Sequence, residues 1–279
     1  MIRMTLWSYT TLTDSAHFRS VAVVLLIITA CDGGTPASSV APGSASAPTS
    51  PSESESPSES EIRGCVPECS TGFSDPGSIG PGLYTTAHFL DGHLTVRYPT
   101  QWVSHEDQGV EFSAEPPERG DMGRVLFWDD IIPWVADTHH PAGHAVGGVP
   151  NTVAGWMDWL HSNPALEVSV PHSATIGEIE LPAMFVDIAI ADQAPNQAPY
   201  CRKLDLVCVV LLSWPNAGGN TYVFGKPSVL RLYLSDITYG GESHLLAVAV
   251  EGTDAMDLNS FLPLANRVIA SADAPIEAT

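Results

Sequence analysis

Residues 229–252 read VLRLYLSDITYGGESHLLAVAVEG, and this stretch decides the class of fold. Its two apolar runs, 229–237 and 245–250, are rich in the aliphatic residues typical of buried β-strands. Between them lies Tyr239-Gly240-Gly241, and a glycine pair suits the backbone of a tight hairpin turn. The stretch therefore predicts two antiparallel strands joined by a short turn.

Further strands are predicted on both sides of this hairpin. In residues 94–98 apolar and polar residues alternate, which is typical of a half-buried strand, and Pro99 ends the run. Other apolar or alternating runs predict strands at residues 110–113, 125–128, 166–170, 184–190 and 206–214.

Two segments show helical spacing instead. After a candidate N-cap at Asn151 or Thr152, apolar residues recur three and four positions apart before Pro164, at Val153, Trp156, Met157 and Leu160. A second stripe runs from Leu258 to Ile269 but contains Pro263, which removes a hydrogen bond inside a helix and suits a first turn. We therefore expect the main part of this last helix to begin near Phe261.

This order of elements predicts an α+β fold, an antiparallel β-sheet with the helices packed on one face. The motif RYPTQW, at residues 97–102, overlaps the end of the predicted strand at residues 94–98, and RVIASA, at residues 267–272, overlaps the end of the last predicted helix. In this respect residues 83–272 resemble PsbP-like domains, which are α+β modules of exported lipoproteins and peripheral photosynthetic proteins. The resemblance implies a fold but no shared catalytic residues, and the insertion at residues 132–149 departs from it.

The first 30 residues have the pattern of an export signal. Arg3 and Arg19 precede the apolar run VAVVLLIIT at residues 21–29, and nine residues are too few to span a bilayer, which needs roughly 20. Residues 1–30 are therefore predicted to be a signal peptide rather than part of the folded domain.

The end of that segment, Ile28-Thr29-Ala30-Cys31, resembles the lipobox of bacterial lipoproteins. The resemblance implies that the Cys31 thiol carries a diacylglycerol, that acyl chains such as palmitate anchor the protein, and that the domain lies on the extracytoplasmic face of the cell membrane. Two or more acyl chains give stable anchoring. An ordinary signal peptide with a chance cysteine, or an uncleaved anchor, is the alternative.

Residues 31–63 are predicted to be a disordered linker. From residue 33 to residue 63 there are ten Ser and five Pro, and no aromatic residue. Such a composition cannot bury enough apolar surface to offset the entropy of ordering. Residues 64–279 are then a single extracytoplasmic α+β domain on a tether.

The charge of the chain excludes one class of partner. The net charge is −21, with 32 acidic residues against 11 Lys and Arg, and 26 of the acids lie in residues 64–279. A surface this acidic repels the phosphate backbone, so no nucleic acid is expected as a partner.

Four cysteines follow Cys31, and an even number in an exported chain predicts disulfides. Local pairing, Cys65 with Cys69 and Cys201 with Cys208, is the simplest of three connectivities, and a bridge between the two pairs stays open. A four-cysteine zinc site is a further alternative, but neither pair has the two-residue spacing of a zinc knuckle.

Acidic residues and histidines are densest just after the strand at residues 125–128, beginning with Asp129 and Asp130. Imidazole and carboxylate groups together suit zinc, nickel or copper, so a divalent metal is the cofactor such a cluster would hold. The candidate ligands are Asp137, His139, His140 and His144. The other interpretation is a polar loop without a ligand, since Pro141 and Gly143 disfavour a helix there.

Trp128, Trp134 and Trp214 are candidates for stacking on a sugar or another flat ligand, because they fall near predicted strand ends. Packing in the core is the alternative for each of them.

The motifs G-x-S-x-G, H-E-x-x-H and S-x-x-K do not occur in the sequence. We therefore expect a binding or interaction module rather than an enzyme, with an unknown envelope protein or small ligand as its partner. The alternative is a metal-binding lipoprotein, or a metal-dependent enzyme, that uses His139, His140 and His144.

Overall fold

A computed structural model describes residues 62–66, 77–108, 110–119, 123–136, 143–194, 207–214 and 221–278. The predicted signal peptide, residues 1–30, and nearly all of the predicted linker, residues 31–63, lie outside these ranges. The first nine strands are β1 (Ile62–Val66), β2 (Gly77–Ile79), β3 (Gly82–Thr86), β4 (Thr95–Tyr98), β5 (Trp102–Gln108), β6 (Glu111–Glu115), β7 (Val125–Asp129), β8 (Ile132–Val135) and β9 (His144–Ala145). The others are β10 (Leu166–Val168), β11 (His172–Ile176), β12 (Leu181–Ile190), β13 (Cys208–Ser213), β14 (Thr221–Gly225), β15 (Val229–Tyr239), β16 (Glu242–Gly252) and β17 (Glu277–Ala278).

The described part of the chain is mostly antiparallel β-sheet with two α-helices, α1 (Val153–Ser162) and α2 (Ala255–Ala270). The largest sheet runs in the order β10-β12-β15-β16-β7-β6-β5-β2, with β11 also paired to β12 and β17 to β15. Two smaller sheets have the orders β1-β3-β4 and β14-β13-β8-β9, and only the β1–β3 pair is parallel among the described strands. The predicted α+β class is therefore confirmed at this level.

The predicted hairpin lies at the centre of the large sheet. Strands β15 and β16 pair without interruption from Val229 opposite Gly252 to Tyr239 opposite Glu242. Gly240 and Gly241 have φ values of 60° and 84°, the left-handed backbone that a two-residue hairpin turn requires. Both strands are longer than the apolar runs alone indicated, because pairing continues to the turn.

Both faces of this hairpin are buried. On β16, Leu246, Val248 and Val250 belong to one hydrophobic core, whereas Leu245, Ala247 and Ala249 belong to a second core on the opposite face. Each face therefore needs its own cover of apolar side chains.

The two helices supply much of that cover, one on each face. Helix α2 packs into the first core with residues such as Phe261 and Ala265, and α1 packs into the second with Trp156 and Leu160. The expectation that the helices share one face is wrong, because a sheet that is apolar on both sides cannot leave either side to water.

The smaller sheets extend the two cores. Val96 and Tyr98 of β4 join the core under α2. Val209 and Leu211 of β13, with Phe224 of β14, join the core under α1. The large sheet is thus the middle of three layers.

Helix α1 matches its prediction. Thr152 is the N-cap, and its side-chain oxygen accepts a hydrogen bond from the backbone N–H of Gly155 at 3.2 Å. The backbone N–H of Val153 donates to Asp236 Oδ1 at 2.9 Å, so a carboxylate of the central hairpin also binds the start of the helix.

Helix α2 differs from its prediction, because it is one helix from Ala255 to Ala270 with Pro263 inside it. The break expected before Phe261 does not occur. Pro263 and Asn259 are both exposed, so the Asn259 carbonyl that loses its partner can be solvated, while Phe261 and Leu262 hold the helix on the sheet. Tertiary packing outweighs the local cost of proline.

Asp257 stabilises the start of α2 as a carboxylate. Its Oδ2 accepts from the backbone N–H of Thr253 at 2.9 Å and pairs with the guanidinium of Arg119. Partial burial acts to raise the pKa of Asp257, but the Thr253 N–H and Arg119 outweigh it and lower the pKa below the usual value of 3.8.

We expect Asp257→Asn to lower the free energy of unfolding by about 1 kcal/mol at pH 7, because the ion pair is lost. A carboxylate whose pKa is lowered on folding stabilises the fold above its unfolded pKa and loses that effect as the pH falls. The difference between wild type and variant should therefore be full above about pH 5 and shrink below about pH 4. Urea unfolding at several pH values measures it.

Asp254→Asn is the matched control for Asp257→Asn. Asp254 is the N-cap of α2, and its side chain accepts from the Asp257 N–H at 2.8 Å. Asparagine caps a helix about as well as aspartate, so the same change of charge at this position should alter stability little. An equal loss in both variants would contradict the role given to the Arg119–Asp257 pair.

Candidate functional site

The candidate site lies at one corner of the large sheet, where β7 ends and β16 begins. Asp129 is the last residue of β7, Asp130 follows it, and His244 is the third residue of β16. Strands β7 and β16 are hydrogen-bonded neighbours, with Asp129 opposite Leu246. This pairing brings the two carboxylates next to an imidazole that is more than a hundred residues away in the chain.

Asp130 is held in place by its backbone and by hydrogen bonds. Its φ of 55° is in the left-handed region, which aspartate tolerates better than most residues. Its Oδ1 accepts from the backbone N–H of Leu245 at 2.9 Å and from the Asn151 side-chain amide at 2.7 Å. With Oδ1 held in this way, Oδ2 is turned toward His244.

The three side chains converge. His244 Nδ1 lies 2.9 Å from Asp130 Oδ2 and 3.1 Å from Asp129 Oδ1. One ligand atom of each residue lies within 4.8 Å of the ligand atoms of the other two. Among the described residues, this is the one group of three or more His, Cys, Asp or Glu side chains that lie so close together. The side chains are 17 %, 13 % and 27 % exposed for His244, Asp129 and Asp130, so the site is partly open to solvent.

A second layer surrounds the triad. The Tyr239 ring lies edge-on to the His244 ring, with the centroids 6.2 Å apart. The Tyr239 hydroxyl lies 3.0 Å from the Leu90 carbonyl and 3.3 Å from Asp91 Oδ2, as a donor to both. This arrangement brings a third carboxylate, that of Asp91, close to the same corner.

On its inner side the site borders an apolar pocket. Phe127 and Leu246 lie on the same sheet face as Asp129 and His244, two residues further into their strands, and they line that pocket together with Leu90. An apolar floor lowers the local dielectric and strengthens electrostatic interactions at the triad.

The surroundings perturb the acidity of Asp129. Burial raises the pKa of Asp129 to about 6; nearby His244 opposes this rise, and the negative charges of Asp130 and Asp91 add to it. The site therefore favours any bound cation that offsets its negative charge.

The predicted histidine loop can be placed only in part. Asp137, His139 and His140 lie outside the described residues. His144 is half-buried in β9, in register with Val135 of β8. Metal binding by the loop therefore stays a prediction, while Asp129 and Asp130, from the same stretch of sequence, are brought together with His244.

The three predicted stacking residues differ in exposure. Trp128 and Trp214 are buried, and Trp128 packs edge-on against Tyr222 with the ring centroids 5.3 Å apart. Trp134 is partly buried and packs against the small apolar cluster of Ala136, Cys208 and Val210. These contacts favour the packing interpretation, and ligand stacking stays a prediction.

Cys208 is buried and disulfide-bonded. The structure does not describe the side chains of the other four cysteines, Cys31, Cys65, Cys69 and Cys201. The predicted disulfide pairing of Cys65 with Cys69 and of Cys201 with Cys208 therefore stays a prediction.

A second polar cluster surrounds a fully buried carboxylate. Glu251 is 0 % exposed, and its Oε2 accepts a hydrogen bond from the Tyr222 hydroxyl at 3.0 Å. Burial raises the pKa of Glu251, and the positive charge of Arg124 opposes this rise. Burial acts to lower the pKa of Arg124, but the net effect is a raised pKa, because four nearby acidic groups outweigh burial: Glu251, Tyr222, Glu115 and Glu111. We interpret this cluster as structural, because its carboxyl and hydroxyl groups belong to buried residues: Glu251, Glu111, Glu115 and Tyr222.

Comparisons with known proteins add no family to this description. No family model matches the chain, and a search of curated proteins found no match. Among the described residues, no helix combines the length and the apolar character needed to span a membrane.

Proposed function

We propose that the protein is a membrane-anchored extracytoplasmic lipoprotein that acts as a binding module, with its binding site at the Asp129–Asp130–His244 corner. One observation carries the location of the site. A carboxylate oxygen of Asp129 and one of Asp130 both lie within 3.1 Å of His244 Nδ1, and all three side chains remain partly exposed. A ligand could reach them without opening either core.

The anchor is proposed from the sequence. The run VAVVLLIIT ends in Ile28-Thr29-Ala30-Cys31, and a Ser- and Pro-rich segment follows it. A lipid on Cys31 would hold the domain at the membrane, and a linker of this length would reach as far as about 100 Å when extended. The acidic domain would remain in the aqueous phase beside the anionic surface.

We also propose that the domain is PsbP-like. The mostly antiparallel sheet and the two helices support this fold, as do the positions of RYPTQW at the β4–β5 turn and of RVIASA at the end of α2. The proposal concerns the fold alone and assigns no residue a role.

The charge of the site indicates what it would bind. Asp129, Asp130 and nearby Asp91 are all acidic, and the chain as a whole carries a net charge of −21. The ligand or the partner protein is therefore expected to present a positive charge to this corner.

Cys31→Ala tests the anchor. We expect the variant to incorporate no labelled palmitate and to leave the membrane fraction, because the thioether-linked lipid needs the Cys31 sulfur. Fractionation of labelled cells, followed by capture of the protein, measures both effects. Cys69→Ala is the matched control and should remain labelled. Labelling of Cys31→Ala at the wild-type level would overturn the anchor.

A further inference from the structure

We propose that Asp129, Asp130 and His244 hold one divalent transition-metal ion, such as Zn²⁺ or Mn²⁺. The inference rests on the proposed function, because it names the ligand of the binding site at that corner. It concerns residues in the two strands β7 and β16 and the turn after β7, and it is independent of the predicted histidine loop.

The spacing of the three side chains fits a shared ion. Two ligand atoms that each bind a metal at about 2.1 Å are about 3.0 Å apart at the right angle of an octahedral site and about 3.4 Å apart at the angle of a tetrahedral one. The distances from His244 Nδ1 to the two carboxylate oxygens are 2.9 Å and 3.1 Å. These atoms could therefore occupy neighbouring coordination positions with little rearrangement.

The convergence of these atoms does not have the geometry of aligned hydrogen bonds. Asp129 Oδ1 and His244 Nδ1 are both buried atoms, and neither has a hydrogen-bond partner of acceptable geometry in the described part of the chain. The nitrogen and the oxygen are close but not aligned as donor and acceptor. Buried polar atoms without partners are uncommon in folded proteins, and a bound ion is one of the ordinary explanations.

The surrounding residues give Asp130 the support that metal ligands usually have. The Leu245 N–H and the Asn151 amide bind Oδ1 and leave Oδ2 directed to the site. Such outer hydrogen bonds orient ligating carboxylates and tune their affinity.

The donor set selects the class of ion. Imidazole nitrogen suits zinc and other first-row transition ions, whereas calcium and magnesium prefer oxygen ligands throughout. Two carboxylates and a neutral imidazole carry a charge of −2, which a divalent ion neutralises. Three protein ligands leave at least one coordination position for water or for a group from a partner.

Metal binding by the purified full chain tests the proposal. Zn²⁺ and Mn²⁺ are the probes, with equilibrium dialysis and elemental analysis as the readout. We expect one ion per chain for the wild type, displaced poorly by excess Ca²⁺. His244→Gln and Asp129→Asn should each weaken binding by at least about tenfold, because each removes one of three ligands.

Two control variants locate the ion. His172→Gln removes an exposed imidazole that stacks on Phe185, and it should leave binding unchanged. The combined change of His139, His140 and His144 to Ala should also retain the ion. Loss in that triple variant, with retention in His244→Gln, would overturn the proposal and place the metal on the loop.

Failure of a variant to fold would not leave the question open. Zn²⁺ titration of the wild type, followed by NMR of the histidine ring signals, must perturb His244 if the proposal holds. A wild type that binds neither ion overturns it. Since Cys31→Ala tests the anchor separately, a lipidated protein that binds no metal would refute the ligand but not the membrane-anchored module.

Discussion

Arg124→Met is expected to lower the free energy of unfolding by about 3 to 5 kcal/mol at pH 8. Glu251 is fully buried, and the positive charge of Arg124 opposes the rise in its pKa. Without Arg124 the fold must either bury an uncompensated carboxylate or take up a proton. The loss should therefore shrink as the pH is lowered, because protonation of Glu251 removes the buried charge. Urea unfolding at pH 8 and pH 5 measures both effects.

The double variant Arg124→Met/Glu251→Gln separates charge from packing. Removing the second charge should recover a large part of the stability that the single variant loses, because the amide no longer needs a counter-charge. Arg267→Met is the matched control: Arg267 is exposed on α2, and its loss should change the unfolding free energy by less than about 0.5 kcal/mol. A loss below about 1 kcal/mol in Arg124→Met would contradict the structural role given to Arg124 and the buried Glu251.

Trp156→Ala is expected to lower the free energy of unfolding by about 3 to 5 kcal/mol. Trp156 is 0 % exposed on α1, and its ring meets that of Trp159 edge-on with the centroids 5.2 Å apart. It belongs to the core that covers Leu245, Ala247 and Ala249 of the central hairpin. Thermal unfolding monitored by near-UV circular dichroism reports both the loss and any loosening of the core.

Asp158→Ala, on the exposed side of α1, is the control for Trp156→Ala. Alanine favours the helix slightly more than aspartate does, so the change should be small and favourable. Equal effects of the two substitutions would show that α1 contributes through helix formation alone and not by covering the sheet.

The elements that could be predicted from the sequence are those specified by local pattern. The hairpin followed from two apolar runs and a glycine pair, and α1 from its spacing and N-cap. The continuity of α2 could not be predicted, because the packing of Phe261 and Leu262 against the sheet outweighs the local cost of Pro263 in the helix. The placement of the two helices on opposite faces was not predicted, because it depends on tertiary contacts with both sides of β16.

The candidate site was accessible to prediction only in part. Asp129 and Asp130 stand out as polar residues directly after an apolar strand. His244 does not, because it lies in another strand and meets them only through the register between β7 and β16. Alternation along a strand indicates which face a residue occupies, but not which distant strand becomes its neighbour.

Strand β16 also bears on how the chain avoids self-association. Its segment Leu245-Leu246-Ala247-Val248-Ala249-Val250 is uncharged and free of proline, the composition that favours stacking of identical strands into fibrils. Of the two helices that cover it, α1 is made before β16, and α2 begins three residues after the strand ends. Helix α2 packs in the same core as Leu246, Val248 and Val250, so the helix that follows this segment most closely in the chain also covers one of its two sides.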